Sequence, residues 1–388
     1  MNNNIFKYKC PHCGNSDLRY IGNFNGKQYC RLCLTFDGRK VENNYKVNKD
    51  IKLFLNYKLS KKQEECSNKV KDAILNNYNV LIHAVTGAGK TELVYQTMEC
   101  ILKKGGHVGF ATPRKDVVID LYPRINESFK NCKVVAIYGE HTAKLEGDII
   151  VLTTHQLYRY PKYFDLLILD EIDAFPFKDN KLLNTFFYKS IRGNYILLSA
   201  TPSYDDFKKI KENNGVVVKL FERYHKHDLP TPEFHKLSTI KQYFFIFKKL
   251  LFFKKENKKV FIFTPTIKEG KNLYFFLSLF FKDGSFVSSK EELRKIDIEK
   301  FKSGMLSFLV TTSILERGVT VKNLQVIVFN SGSEMYTKEG LIQIAGRAGR
   351  KIDAPEGKVY FLNDDKVNKI DDAINEIKQY NLIKNKKV

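Results

Sequence analysis

Nowhere in the 388 residues does an apolar run reach the length a bilayer crossing requires, and the opening MNNNIFKYKCPHC lacks the apolar core of a secretory signal. The chain is therefore expected in the cytoplasm. Its most apolar stretch, Tyr243 to Phe253, is broken by Lys248 and Lys249 and reads as a core helix, not an anchor. Acidic residues are in deficit: 43 Asp and Glu against 65 Lys and Arg leave a formal charge of +22. That excess suits a polyanionic partner, because clustered Lys and Arg displace condensed counterions from nucleic acid. A lysine-rich composition would give the same total on a merely solvated surface. Cysteine is too sparse and too uneven for a disulfide framework, since the count of seven is odd and a cytoplasmic chain does not keep bridges. The length allows two domains of ordinary size plus a small appendage.

Four of the cysteines form two close pairs, Cys10-x₂-Cys13 and Cys30-x₂-Cys33, with sixteen residues between them. Each short turn sets two sulfurs on one side of an ion, so the four thiolates suit tetrahedral Zn²⁺. Cys66, Cys100 and Cys132 fall outside the set, and His12 reads as a bystander rather than a fifth ligand. Between the pairs, Arg19, Tyr20, Phe24, Lys27 and Tyr29 interleave basic and aromatic residues. They could stack bases and pair with phosphates, or the rings could cover a very small metal-held core.

From Val80 to Val94 the sequence VLIHAVTGAGKTELV is an apolar run, a glycine-bearing turn and a helical pattern. Phosphate oxygens need several donors at close range; Gly87, Ala88 and Gly89 leave room for backbone N–H groups, and a following helix N-terminus adds positive dipole. Lys90 would reach the β- and γ-phosphates, and the Thr91 hydroxyl would take one position on Mg²⁺. Ala84 opens the loop where the general pattern has Gly. Upstream, Ser60 is a plausible helix cap, and Gln63 can offer a donor and an acceptor together to the edge of adenine.

Strand-like runs then recur between helical patterns at Gly106–Ala111, Val134–Tyr138, Ile149–Leu152, Leu166–Leu169 and Tyr195–Leu198. This alternation implies an α/β fold with a parallel sheet covered on both faces and its loops gathered at one edge. Thr112-Pro113-Arg114, Thr153-Thr154-His155-Gln156, Asp170-Glu171-Ile172-Asp173 and Ser199-Ala200-Thr201 fall in those loops. Asp170 at a strand end beside a phosphate loop can hold Mg²⁺, and Glu171 can orient and deprotonate an attacking water. Leu220 to Phe234 has two prolines and no sustained period, and reads as the inter-domain linker.

A second alternating block follows, with strands at Lys259–Phe263, Phe308–Thr311 and Gln325–Phe329 but no phosphate loop of its own. Its informative residues are Thr264-Pro265-Thr266, Thr311-Thr312 with Glu316-Arg317-Gly318, and Gln343 to Arg350, reading QIAGRAGR. Arg347 and Arg350, expected one helical turn apart, could both point at a γ-phosphate and stabilise charge during phosphoryl transfer. Val367, Ile370, Ile374 and Ile377 predict a last helix, followed by a basic tail, Lys384 to Lys387, that is expected to be disordered.

In order and approximate spacing, AVTGAGKT, ATPR, TTHQ, DEID, SATP, TTSILERG and QIAGRAGR resemble the motifs of superfamily 2 helicases. With a Cys₄ module ahead of the motor, DEID-AFPF and TTHQLYRYP, the ensemble looks like the ComFA family of competence proteins. The resemblance implies two tandem RecA-like domains behind a small zinc module, divided at 1–45, 46–222 and 223–388. It implies an ATPase that drives single-stranded DNA inward, with ComFC and DprA as partners at the inner face of a DNA uptake channel. Carried over by position, Gly89, Lys90 and Thr91 would bind phosphate and Mg²⁺, and Asp170 and Glu171 would serve metal and water. Gln343, Arg347 and Arg350 would sense the γ-phosphate, while Arg114, Thr154, Thr264 and Thr312 would meet the strand backbone. Two other functions compete: a replication-restart or repair helicase that opens duplex, and an ATP-switched DNA-binding scaffold, against which Glu171 and Arg350 argue.

Overall fold

The structure, a computed structural model, describes residues 8–288, 294–312 and 321–385. Glu316, Arg317 and Gly318, and the tail residues Lys386 and Lys387, lie outside the described residues. Two compact units form: one comprises Met1–Lys58, Glu64–Ile82 and Thr91–Val218, the other Leu59–Gln63, His83–Lys90 and Lys219–Val388.

The first unit opens with a hairpin, β1 (Ile21–Phe24) and β2 (Lys27–Cys30), paired antiparallel from Ile21 opposite Cys30. Asn25 and Gly26 turn it with φ of 49° and 77°, the two left-handed positions that a tight hairpin asks of an Asn-Gly pair. There follow β3 (Lys52–Leu53), α1 (Lys61–Leu75), β4 (Asn79–Ala84), α2 (Glu92–Lys103), β5 (Val108–Thr112), α3 (Lys115–Ser128) and β6 (Phe129–Lys130). The series continues with β7 (Val134–Ile137), β8 (Ile149–Thr153), β9 (Phe164–Leu169), α4 (Lys181–Ser190), β10 (Ile191–Ser199), α5 (Tyr204–Glu212) and β11 (Gly215–Leu220).

A seven-stranded sheet runs in the order β11-β4-β10-β9-β5-β8-β7. Strands β5, β7 and β8 are buried along their whole length, the run of apolar residues that a sheet covered on both faces demands. Because β5, β8, β9 and β10 pair in parallel, Thr112, Thr153, Leu169 and Ser199 end at one edge, and the loops after them share it.

The second unit carries β12 (Glu233–Lys236), α6 (Thr239–Lys255), β13 (Lys259–Phe263), α7 (Ile267–Ser278), β14 (Gly284–Val287), α8 (Arg294–Ser303), β15 (Phe308–Thr311), β16 (Leu324–Val328), α9 (Lys338–Ala345), β17 (Val359–Asn363) and α10 (Asn368–Asn385). Its sheet, β12-β17-β16-β13-β15-β14, is parallel throughout. Ile246, Leu250, Val260, Ile262, Val310 and Ile327 form its core. The two parallel-sheet α/β domains expected from the alternating pattern are present. Strands β12, β14 and β17 are not anticipated by the sequence reading; β12 and β14 lie at sheet edges, where β12 (EFHK) buries no residue fully and carries no apolar run to mark it, whereas β17 (VYFLN) is a buried apolar run inside the sheet. Among the described residues no helix is long and apolar enough to cross a membrane, and α6, with Lys254 and Lys255 in its last turn, packs Ile246, Leu250 and Phe253 inward.

Candidate functional site

Strand β4 ends at Ala84, and the chain turns through Gly87 and Gly89 with φ of 82° and 80° before α2 begins. Only glycine adopts that left-handed backbone without cost, and such a turn lets backbone N–H groups approach an anion, although Ala88 N here donates to Val85 O at 3.2 Å. Lys90 lies back across the loop, its Nζ donating to Ala84 O at 3.1 Å. Thr91 stands immediately before α2 and makes no side-chain capping bond, so a phosphate in the loop would also meet a helix N-terminus. Gln63 is buried and braced against this turn: its Nε2 donates to Ala88 O at 2.8 Å, and its Oε1 accepts from Ser60 N at 2.9 Å. The carboxamide thus supports the loop backbone directly, with one N–H left for any base edge.

In the first unit, Asp170 leaves β9 with its N–H on Ala111 O, at 2.9 Å. Asp170 Oδ1 accepts from Glu171 N at 2.8 Å, and Glu171 sits at φ +56°. A left-handed glutamate costs about 1–2 kcal/mol, so the surrounding bonds have to hold it there. Ala174 N donating to Glu171 O and Ile172 N donating to Leu198 O do so.

Asp173, whose role the sequence reading leaves unassigned, accepts from Ser199 Oγ and Thr201 Oγ1, both at 3.0 Å. It joins the acidic loop to the loop after β10. The signal was in the sequence, as two short polar motifs ending neighbouring strands, but which side chains meet depends on register. Asp173→Ala should leave both hydroxyls without this acceptor and lower unfolding stability by about 1–3 kcal/mol. Urea denaturation checks this, and an unchanged midpoint would refute the coupling.

In the second unit, α9 stops at Ala345, and Arg347 and Arg350 lie in the turns that follow it. The expectation that they sit one helical turn apart is therefore corrected. Gly349, four residues past the end of α9, takes φ +59° and turns the chain just before Arg350; a Cβ there would fall 2.2 Å from Pro355 O. Gln343 and Arg347 are buried and Arg350 is half-buried. Of the residues proposed to meet a strand, Arg114 at the start of α3 and Thr312 are half-exposed. Thr154 and Thr264 are fully buried, and the Thr264 hydroxyl donates to Thr311 O at 3.3 Å.

The four amino-terminal cysteines converge, with every pair of sulfurs within 4.8 Å. Cys10 and Cys33 are 3.8 Å apart and Cys13 and Cys30 are 3.6 Å apart. A tetrahedral zinc with Zn–S bonds of about 2.3 Å has S···S edges of about 3.8 Å, so the set fits that ion. His12 stays out of the cluster, its Nδ1 facing Lys40 Nζ at 3.2 Å. The module is not a separate core. Cys10, Cys13 and Cys30 share one apolar cluster with Leu157, Tyr160, Phe186 and Phe187, and Lys189 Nζ donates to the carbonyls of Pro11 and His12. Phe36 packs edge-on against Tyr158 and Phe186. Of the interleaved aromatics, Tyr29 lies over Gly22, whereas Tyr20 and Phe24 are 42% and 70% exposed.

Residues 56–204 match the family model described as type III restriction enzyme, res subunit, and residues 241–351 match the helicase conserved C-terminal domain. The chain is 35% identical to competence protein ComFA of Bacillus subtilis (strain 168), covering 97% of this chain and 86% of that one. Against competence protein ComFA of Streptococcus pneumoniae (strain ATCC BAA-255 / R6) it is 34% identical, covering 97% and 90%. In fold it is similar to S. cerevisiae Dbp5 bound to RNA and ADP BeF3, with a TM-score of 0.62 at 16% identity over 83% of this chain and 91% of that one.

Proposed function

The chain belongs to the ComFA family of competence proteins, and we propose that within it this protein is an ATP-driven translocase on single-stranded DNA that moves DNA inward during transformation. The family and the helicase-type ATPase domains supply the motor. The observation that carries the finer reading is the likeness to two competence proteins over 97% of the chain.

In this reading the phosphates lie in the turn at Gly87, Ala88 and Gly89, with Lys90 neutralising the β- and γ-oxygens. Thr91 and Asp170 would hold a magnesium ion, which neutralises charge on the phosphates when bound. Glu171 orients a water and takes its proton as the water oxygen bonds to the γ-phosphorus and the bond to the leaving ADP oxygen breaks. Gln343, Arg347 and Arg350 face the charge that develops on the γ-phosphoryl oxygens. Arg114 and Thr312 are the half-exposed side chains offered to a strand backbone; backbone amides near Thr154 and Thr264 would serve there in place of buried hydroxyls. The exposed Tyr20 and Phe24, with Lys27, would offer stacking platforms to bases. ComFC and DprA, at the inner face of an uptake channel, are the partners the resemblance supplies.

Turnover of ATP measured with and without single-stranded DNA, beside a strand-displacement assay, tests the reading. A translocase should hydrolyse faster with single strands and displace little duplex. Robust displacement would favour the replication-restart class, and DNA binding without turnover would favour the scaffold. Affinity for single strands should also fall steeply with salt, because phosphate contacts release counterions.

A further inference from the structure

Arg223 lies just beyond β11 in the stretch read from sequence as a linker, yet it is 1% exposed. Among the described residues no carboxylate pairs with it; it donates instead to four backbone carbonyls. Nε reaches Thr86 O at 3.2 Å, Nη1 reaches Ala348 O at 3.1 Å and Gly349 O at 2.7 Å, and Nη2 reaches Gly346 O at 3.0 Å. One end of the guanidinium therefore holds the phosphate-loop turn and the other holds the turn carrying Arg347 and Arg350.

Its neighbours repeat the pattern. Tyr224 N donates to Gly87 O at 3.3 Å, and Tyr224 OH donates to Arg350 O at 3.3 Å while accepting from Ile352 N. His225 Nε2 meets Gly349 O at 3.1 Å. The two turns are also in close approach by themselves, since a Cβ on Gly346 would fall 1.9 Å from Thr86 Oγ1.

A buried cation without an acid is costly unless convergent dipoles satisfy it, and a planar fork with five donors is the side chain that can take four carbonyls at once. Burial, and then the nearby Arg350, lowers the Arg223 guanidinium to about 9, which leaves it charged at neutral pH. Both arginines flank Gly87: a Cβ there would be 3.6 Å from Arg223 Nε and 3.7 Å from Arg350 Cγ. The carbonyls of 346, 348 and 349 are committed to Arg223, so the peptide planes from which Arg347 and Arg350 project are held.

We propose that Arg223 is a positioning residue for ATP hydrolysis, clamping the Gly346–Arg350 turn to the Thr86–Gly87 turn so that Arg347 and Arg350 are set for the γ-phosphate. The proposal rests on the reading of those two arginines as γ-phosphate residues, and its test separates the two ideas.

The full chain is assayed as wild type, Arg223→Lys, Arg223→Gln, Arg350→Ala and the double variant Arg223→Lys/Arg350→Ala, for kcat, for ADP affinity and for melting temperature. A lysine keeps the charge but cannot span four carbonyls, so kcat should fall by roughly 10- to 100-fold, as misplacement of a catalytic group does, while ADP affinity stays within about threefold. If Arg223 acts through Arg350, Arg223→Lys should cost less than about threefold once Arg350 is already alanine. Should Arg223→Gln fail to fold, Arg223→Lys still carries the measurement. Wild-type kcat in the Arg223 variants would overturn the clamp alone. An equal loss in both backgrounds would also overturn it, marking a general structural role. Unchanged turnover in Arg350→Ala would overturn the γ-phosphate reading and the clamp with it.

Discussion

Replacing Glu171 with glutamine should cut ATP turnover by about 10²–10⁴-fold while leaving nucleotide affinity within a few-fold of wild type. The amide is nearly the same shape and can keep the left-handed backbone that the Ala174 and Ile172 hydrogen bonds support, but it cannot take a proton from water. Lys90→Ala should behave differently. It removes the ammonium laid across the phosphate loop, so binding and turnover should both collapse. Steady-state hydrolysis together with nucleotide titration distinguishes them, and equal turnover in wild type and Glu171→Gln would remove Glu171 from the chemistry.

Loss of the cysteine cluster is the other large effect. One zinc per chain is expected on Cys10, Cys13, Cys30 and Cys33, and Cys30→Ser should release it. By itself so short a segment cannot bury enough apolar surface to stay folded without metal. From sequence the damage is expected to stop at the module, since the motor motifs all lie beyond it. Packing revises that expectation: three of the four cysteines are in the apolar cluster that includes Leu157, Phe186 and Phe187, and Lys189 and Arg159 tie α4 and the turn after β8 to the module's backbone. Cys30→Ser should therefore lower the melting temperature of the first unit and open α4 to proteolysis. Metal analysis of protein prepared without chelator, followed by melting before and after metal removal, measures both parts. Zinc-free wild type would defeat the metal assignment, and a zinc-dependent module whose loss leaves the melt unchanged would defeat the shared core.

What a short stretch of chain can determine, the sequence determined. The glycines of the phosphate loop, the paired cysteines and the acidic pair after an apolar strand are local devices, because each depends on backbone reach over a few residues and on the chemistry of its own side chains. The alternation of apolar runs with helical patterns likewise sufficed for two parallel α/β sheets, since a strand buried on both faces must be apolar along its length. Tertiary structure alone decided which residues meet across distance. Arg223 stands among prolines and polar residues, and nothing in LFERYHKHDLP marks it as the most buried cation among the described residues; its burial follows from two turns, near positions 86 and 348, arriving at the same place. The same holds for Thr154 and Thr264, whose motifs suggest a strand contact but whose hydroxyls are buried, and for Asp173, paired with Ser199 and Thr201 by the register of β9 against β10. A side chain's type is written locally, whereas its desolvation is set by everything packed around it, and for a buried guanidinium or hydroxyl that surrounding decides what it can do.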